Sequence, residues 1–181
     1  MSANIRRAVV GDEVLLASLN RFVQQLHLER RPDHFRATQS TELAAWYRSR
    51  LEQPSTRVWI AERDGLPVGY VLAVVHHTTE NPFVQARRWC EIDQVAVDPD
   101  CRRTGIAGAL IRHAVSEANS EGVAVEAASW SFNESAHELF RQLQNKGAPV
   151  RQKVAVLRIA GIVEDEVARA EPVARHTREI R

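Results

Sequence analysis

The stretch IDQVAVDPDCRRTGIAGALI, residues 92–111, joins a β-strand pattern to a helical pattern through a short polar turn. Its β-prone residues run into Asp98-Pro99, a pair that ends strands because proline has no amide hydrogen for a sheet. From Ile106 onward, apolar residues recur at the spacing of a helix. This strand–turn–helix unit places the unpaired amides of a helix start at the end of a strand.

The turn itself has the composition of an anion site. Gly105 and Ala107 keep side-chain bulk away from the backbone, so an anion can approach the amides closely. The helix start contributes free N–H groups and the positive end of its dipole, and Arg102 and Arg103 add positive charge. We therefore predict a pyrophosphate cradle, although the turn lacks the Gly-Lys-Ser/Thr of a Walker A loop and the spaced glycines of a dinucleotide-binding loop.

Outside this unit, the hydrophobic pattern predicts further strands and helices. We expect strands at 5–10, 57–62, 67–75, 88–97, 123–129 and 154–159, and helices near 15–26, 43–51, 106–118 and 136–143. Asp12 and either Ser40 or Thr41 are predicted N-caps of the first two helices, and Asp64-Gly65 predicts a hairpin turn. The order β-α-α-β-β-β-α-β-α-β predicts an α/β fold with a mixed sheet and helices on both faces, in which the strands flanking the third helix are parallel.

The composition is typical of a soluble globular protein, with 44% hydrophobic and 26% charged residues in a chain of 181. We predict one domain at 1–160, followed by a charged tail at 161–181. The net charge of +1 provides no overall field for nucleic acid or an anionic membrane, so neither is an expected partner. Two cysteines, no signal sequence and no long apolar run predict a cytoplasmic protein. Neither the histidines nor the cysteines have metal-ligand spacing, so no metal is expected.

Two motifs resemble the signature of the GNAT superfamily of N-acetyltransferases. The first is the strand–turn–helix unit, where a strand ending in Val-x-Pro precedes Arg-x-x-Gly-x-Ala. The second lies at 126–140, where a strand leads to Asn133, Ala136 and the apolar pair Leu139-Phe140. The resemblance implies the fold of that family, a GNAT-like, mostly antiparallel sheet in which one parallel strand pair splays apart.

The resemblance covers residues 3–160 in element order, and it implies acetyl-CoA as co-substrate in the cleft between the splayed strands. Backbone groups of Val95 and Val97 would pair with the pantetheine arm as an added strand would. Asn133 would contact the pantetheine or a nearby water, or act only as an N-cap. The implied cofactor-binding residues are Val95, Ala96, Val97, Arg102, Arg103, Thr104, Gly105, Ile106, Ala107, Gly108, Asn133 and Phe140.

Acetylation of an amine needs a group that takes a proton from the amine. Glu91 and Asp93 alternate onto one face of the strand that runs into the cradle, and carboxylates between apolar neighbours are unusual because they resist burial. Glu91 precedes Arg102 by eleven residues (102 − 91), the spacing at which some members of the family carry a catalytic glutamate. Glu91 is therefore the first candidate base, followed by Asp93 and Glu126; the alternatives are ion pairing with nearby arginines and a water relay.

A general acid is harder to assign, because many members of the family have tyrosine where this chain has Phe140. A thiol with a pKa of about 8.5 can leave as a thiolate without an acid, and water, Ser135 or Tyr70 are the alternative donors. Phe140 therefore leaves two functions open. One is an N-acetyltransferase that acts on a primary amine of a small molecule or protein by direct attack in a ternary complex. The other is an acyl-CoA-binding sensor without catalysis.

The acceptor site is expected between the first two helices, their loop and the loop at 78–85. Its candidate contacts are His27, Glu29, Asp33, His34, Trp46 and Phe83. Dimers through a sheet edge or the tail are common in the family, so the resemblance also leaves a homodimer open.

Overall fold

A computed structural model of the protein describes residues 3–155. The strands are β1 (Asn4–Arg7), β2 (Thr56–Arg63), β3 (Leu66–Thr78), β4 (Arg87–Val97), β5 (Ala124–Trp130) and β6 (Val150–Ala155). The helices are α1 (Glu13–Arg30), α2 (Ser40–Leu51), α3 (Ile106–Ser120) and α4 (Glu134–Asn145), with a short 3-10 turn at Pro99–Cys101 before α3. The predicted tail at 161–181 lies outside the described residues, so the domain boundary stays a prediction.

The six strands form one sheet in chain order, β1-β2-β3-β4-β5-β6. Strands β1 to β4 pair antiparallel, whereas β4–β5 and β5–β6 are parallel pairs. The mixed, mostly antiparallel sheet is therefore confirmed. The predicted hairpin turn joins β2 to β3, and both Asp64 and Gly65 have positive φ angles of 53° and 76°, as a tight hairpin turn requires.

Helices cover both faces of the sheet, which confirms that part of the fold prediction. On one face α1 and α2 bury a core that contains Leu16, Tyr47 and Leu72. On the other face α3 and α4 bury a second core around Leu110 and Phe140. Each large apolar side chain in these cores contributes roughly 1.5–3 kcal/mol, and together they hold the helices against the strands that form the candidate site.

Three local predictions were wrong. The last strand begins at Val150 rather than at 154, because the polar residues 151–153 give no apolar strand signal; the predicted part at 156–159 lies outside the described residues. Asp12 precedes α1, but its carboxylate makes no capping bond; it accepts hydrogen bonds from Arg6 and the Val9 amide. Helix α2 already begins at Ser40, so Gln39 occupies the N-cap position.

Among the described residues, no helix has the length and apolar character that crossing a bilayer demands.

Candidate active site

A gap opens in the sheet between the two central parallel strands. The pairing of β4 with β5 runs from Trp89–Ala124 to Ile92–Ala127 and stops there, although β4 continues to Val97 and β5 to Trp130. Beyond Ile92 the two strands therefore splay apart, as the fold prediction expected. Backbone groups on the facing edges of the two strands are left without ladder partners, so an extended ligand can insert between them.

The gap begins at a β-bulge in β4. Leu72 of β3 pairs with Gln94, and the next residue of β3, Ala73, pairs with Ile92, so Asp93 is an extra residue without a partner in β3. A bulge re-aims side chains and increases the local twist. Here it brings Asp93 to the vertex of the gap.

The edge of β4 that faces the gap presents the backbone of Val95 and Val97. The Asp98 amide donates to the Val68 carbonyl of β3 at 2.9 Å. Backbone groups of alternate residues point to opposite sides of a strand, so those of Ala96 also face β3, whereas those of Val95 and Val97 face the gap. Ala96 itself is 4% exposed and packs in the core beneath α1 and α2.

The predicted cradle lies at the far end of this edge. Gly105 immediately precedes α3 and has a φ of +88°, a conformation that glycine adopts without strain. No atom lies within 4 Å of the position that a Cβ of Gly105 would occupy, so the space above this glycine is open. The first amides of α3, on Ile106, Ala107 and Gly108, have no partner within the helix, and they border this open space.

The two arginines of the turn have different positions. Arg102 is exposed, but its Nε donates to the Val97 carbonyl at 3.3 Å, so its guanidinium ties the turn to the end of β4. Arg103 is exposed and has a positive φ of 61°. The Thr104 hydroxyl donates to the Cys101 carbonyl at 2.6 Å and closes the turn from inside.

The second motif lies across the gap at the start of α4. The Asn133 side chain accepts a hydrogen bond from the Ala136 amide at 3.2 Å, so Asn133 is an N-cap as predicted. Phe140 is 4% exposed and belongs to the core beneath α3 and α4. The structure thus brings the β4 edge, the cradle and the start of α4 together around one gap.

Of the candidate bases, Asp93 lies nearest the opening of the gap. Cys90 and Ile92 pack in the core on the α3 face, so Glu91 and Asp93 lie on the opposite face of β4. Asp93 is open to solvent, yet nearby protein atoms partly desolvate its carboxyl group. This partial desolvation raises the pKa of the Asp93 carboxyl, against the opposing effects of Arg50 and His76.

Glu91 and Glu126 are both engaged by cations. Glu91 forms an ion pair with the imidazole of His76, with 3.0 Å between Oε2 and Nε2. Glu126 is only 2% exposed and pairs with Arg87 of β4 and with Lys153 of β6 at 3.0 Å. Burial raises the pKa of Glu126, but the hydrogen bonds and charges of Lys153 and Arg87 outweigh it, so the pKa is lowered overall.

Sequence reasoning named His27 and His34 as acceptor contacts, but it missed the aromatic cluster that they join at the open end of the gap. His27 at the end of α1 stacks on Phe35 with ring centroids 4.6 Å apart, and Trp130 at the end of β5 lies 5.4 Å from Phe35 and stacks on Phe132 at 5.9 Å. The cluster therefore connects α1 and its following loop to the far side of the gap. Burial lowers the pKa of His27. The signal in the sequence was the Trp-Ser-Phe at the end of a predicted strand.

The predicted acceptor contacts are dispersed. His34 joins the aromatic cluster at 5.2 Å from Trp130, and Trp46 on α2 lies beneath the guanidinium of Arg50 at 4.9 Å. Phe83 is 94% exposed in the loop between β3 and β4. Of these three residues, only His34 therefore contacts the aromatic cluster at the gap.

No group of three or more His, Cys, Asp or Glu residues that could hold a metal ion is found within residues 3–155.

Comparison with known proteins finds solved structures that share this architecture. Among solved structures, a tetramutant of the BH1408 protein from Bacillus halodurans superposes with a TM-score of 0.73 at 24% identity, covering 78% of this chain and 92% of that one. A ribosomal-protein-alanine N-acetyltransferase from Brucella melitensis has a TM-score of 0.59 at 21% identity, covering 78% and 90%. A predicted acetyltransferase with acetyl-CoA from Clostridium acetobutylicum has a TM-score of 0.60 at 18% identity, covering 77% and 87%. At these identities the likeness shows the fold.

No curated protein sequence matches the chain. The sequence profile of the Acetyltransferase (GNAT) family, however, matches residues 21–144, a region that holds the bulge, the cradle and the start of α4. Because this match covers well over half of the chain and agrees with the splayed sheet, the chain belongs to the GNAT acetyltransferase family.

Proposed function

We propose that the protein is an acetyl-CoA-dependent N-acetyltransferase that transfers the acetyl group to a primary amine by direct attack in a ternary complex. The observation that carries the proposal is the gap between β4 and β5, which has Asp93 at its vertex and the α3 amides at its far end. A linear ligand with a reactive group at one end and a pyrophosphate toward the other matches this arrangement.

The residues present fit acetyl-CoA. Amides and carbonyls of Val95 and Val97 face the gap and would hold the pantetheine arm, while the turn around Gly105 leaves open space for the pyrophosphate at the start of α3. When bound, acetyl-CoA would supply a thioester whose carbonyl carbon the amine attacks. The amide of Val95 would donate to the carbonyl oxygen, because it lies on the gap side of β4 close to the vertex.

Asp93 is the base that the geometry favours, ahead of Glu91. It stands at the vertex of the gap, and its raised pKa brings it closer to that of an efficient proton acceptor at neutral pH. Glu91 already has an ion pair with His76, so we assign it to the proton path that leads away from Asp93. Glu126 is held between two cations and would join β4, β5 and β6 below the gap.

A side-chain acid is not needed for this reaction. Tyr70, one of the alternative donors, is fully buried, and burial raises its pKa to about 12, so it is a poor proton donor for a thiolate. Phe140 lies in the core. Departure of the thiolate with a proton from water is consistent with both observations, since a thiol pKa of about 8.5 makes the thiolate an adequate leaving group.

The proposal is tested by thiol release from acetyl-CoA with a panel of acceptors that includes simple amines, peptides with N-terminal alanine and aminoglycosides. Acetyl-CoA-dependent acetylation of at least one amine, confirmed by mass spectrometry, is the expected result. Tight binding of acetyl-CoA with no turnover on any amine would instead support the acyl-CoA sensor. A cytoplasmic location and a homodimer stay predictions of this proposal.

A further inference from the structure

A largely buried polar cluster joins α1 and α2, the helices expected to line the acceptor site, to strand β4. It consists of Asn20 of α1, Tyr47 of α2, Tyr70 of β3 and Gln94 of β4, here called the Gln94 cluster. The hydroxyls of Tyr47 and Tyr70 donate to Oε1 of Gln94 at 2.7 and 2.8 Å. Nδ2 of Asn20 donates to the Tyr70 hydroxyl at 2.9 Å, and the two hydroxyl oxygens lie 2.7 Å apart.

Three of the four members of the cluster are shielded from water, and Gln94 is half-buried. Tyr47 and Tyr70 are 0% exposed and Asn20 is 5% exposed. Burial raises the pKa of both phenols, so they stay neutral and act as hydrogen-bonding groups. Because a buried polar group that loses its partner is costly, these bonds fix the position of the Gln94 side chain strongly.

Gln94 is the residue that follows Asp93 in the bulge. In a regular ladder, successive residues of a central strand bond alternately to its two neighbours, but Asp93 has no partner in β3 and the pairing with β5 ends at Ile92. The backbone at the vertex of the gap therefore has little support from the sheet. The anchored side chain of Gln94 is the nearest fixed point on this face of β4.

We propose that Asn20, Tyr47 and Tyr70 are positioning residues that act through Gln94 to hold the bulge, so that the Asp93 carboxylate points into the gap. The proposal rests on the proposed function in one respect, the assignment of Asp93 as base. Docking of α1 and α2 on the sheet is then required for the correct placement of the Asp93 carboxylate. The charged groups that also face Asp93 are Arg50 of α2, His76 of β3 and Glu91 of β4.

The first test is kinetic and uses Tyr47→Phe and Gln94→Met. Both variants should lower kcat by about 10- to 100-fold, because a small misplacement of a reacting group has effects of this size, while KM for acetyl-CoA stays unchanged. The acidic limb of the kcat profile should move to lower pH, since a loosened bulge exposes Asp93 to more water and lowers its pKa.

The matched control is Arg6→Gln, which breaks the ion pairs of Arg6 with Asp12 and Glu62 near the opposite edge of the sheet. It should lower the melting temperature without changing the kcat profile. If Tyr47→Phe lowers the melting temperature as the control does and leaves kcat and the acidic limb as in the wild type, the positioning role is refuted.

The second test needs no catalysis and separates this inference from the proposed function. The 13C carboxyl resonance of Asp93, assigned by its loss in Asp93→Asn, is titrated by NMR in the wild type and in Tyr47→Phe. A lower Asp93 pKa in Tyr47→Phe supports the inference even if no amine is ever acetylated. An identical titration in the two proteins overturns it, whatever the activity of the enzyme.

Discussion

The carboxyl group of Asp93 lies where solvent can reach it while surrounding protein disfavours its charge. Its folded-state pKa is raised mainly by desolvation, so the folded protein binds this proton more tightly than the unfolded chain does. The sign of the linkage follows: its contribution to stability is present at low pH and is lost as the pH rises through the folded pKa. At neutral pH the charged carboxylate therefore serves the reaction while weakening the fold.

Asp93→Asn tests both sides of this statement. We expect kcat to fall by about 100-fold or more, as is typical for loss of a general base, and the melting temperature at pH 7 to rise. Glu91→Gln is the comparison on the same face of β4. Because Glu91 is ion-paired with His76, it should lower kcat less, and mainly at low pH. A larger loss in Glu91→Gln than in Asp93→Asn would return the role of base to Glu91.

At the scale of elements, the turn before α3 works through its backbone rather than its side chains. Gly105 combines a positive φ with open space on its outer side, and the first amides of α3 border that space. An anion site made of backbone amides is blocked by any side chain that fills this space and weakened by any negative charge placed there. The arginines contribute less specifically, since Arg102 is partly committed to the Val97 carbonyl.

Gly105→Glu should abolish acetyl-CoA binding, because it places a carboxylate where the pyrophosphate is expected. Any side chain at a positive φ is strained, so the matched control is Gly122→Glu. Gly122 follows the same helix at its other end, with a φ of +68° and the same open surroundings. Isothermal titration calorimetry with acetyl-CoA should show binding for the control only; equal affinities in the two variants would exclude the cradle.

Local features of the chain could be predicted from the sequence, whereas features that form on docking could not. The strand–turn–helix unit was identified because glycine, proline and helical periodicity each leave a local signal. The bulge at Asp93 was not identified, since a single extra residue hardly changes the alternation of a strand. The Gln94 cluster could not be predicted from spacing either, because its four members lie on four elements and meet only when α1 and α2 dock on the sheet.

Strand β6 shows a third limit. Three consecutive polar residues, Arg151, Gln152 and Lys153, follow Val150, and Arg151 and Lys153 lie on the same face as Glu126. Such a strand reads as polar in sequence, so the prediction placed it in the apolar run that follows. Its charged face gains its role only from the partner that it meets in space.

For the molecule as a whole, Glu126 joins three strands below the gap. Its carboxylate pairs with Arg87 of β4 and Lys153 of β6 while being held on β5 itself. Because its pKa is lowered in the folded state, its contribution to stability is present above the unfolded value of 4.5. The contribution is lost as the pH falls through the folded pKa.

Glu126→Gln should therefore lower the free energy of unfolding at pH 7 by roughly 2 kcal/mol, the size of a hydrogen bond to a charged group. Urea denaturation at pH 7 and at about pH 3 measures the difference between wild type and variant. We expect the difference to shrink at the lower pH, where the wild-type carboxyl takes up a proton. A difference that is the same at both pH values would show that the ion pairs do not contribute.

The bulge also sets which residues of β4 face each side of the sheet. Ile92 and Val95 face the same core although they are three positions apart, and in a regular strand residues three positions apart face opposite sides. Asp93 is the extra residue that accounts for the difference. Removing this single residue would yield a regular strand in which Ile92 and Val95 are two positions apart, so Val95 and Val97 would still face the core beneath α3 and Ala96 the core beneath α1. A chain that gave up its carboxylate by deletion would thus keep its hydrophobic register but lose the bulge, whereas substitution keeps both.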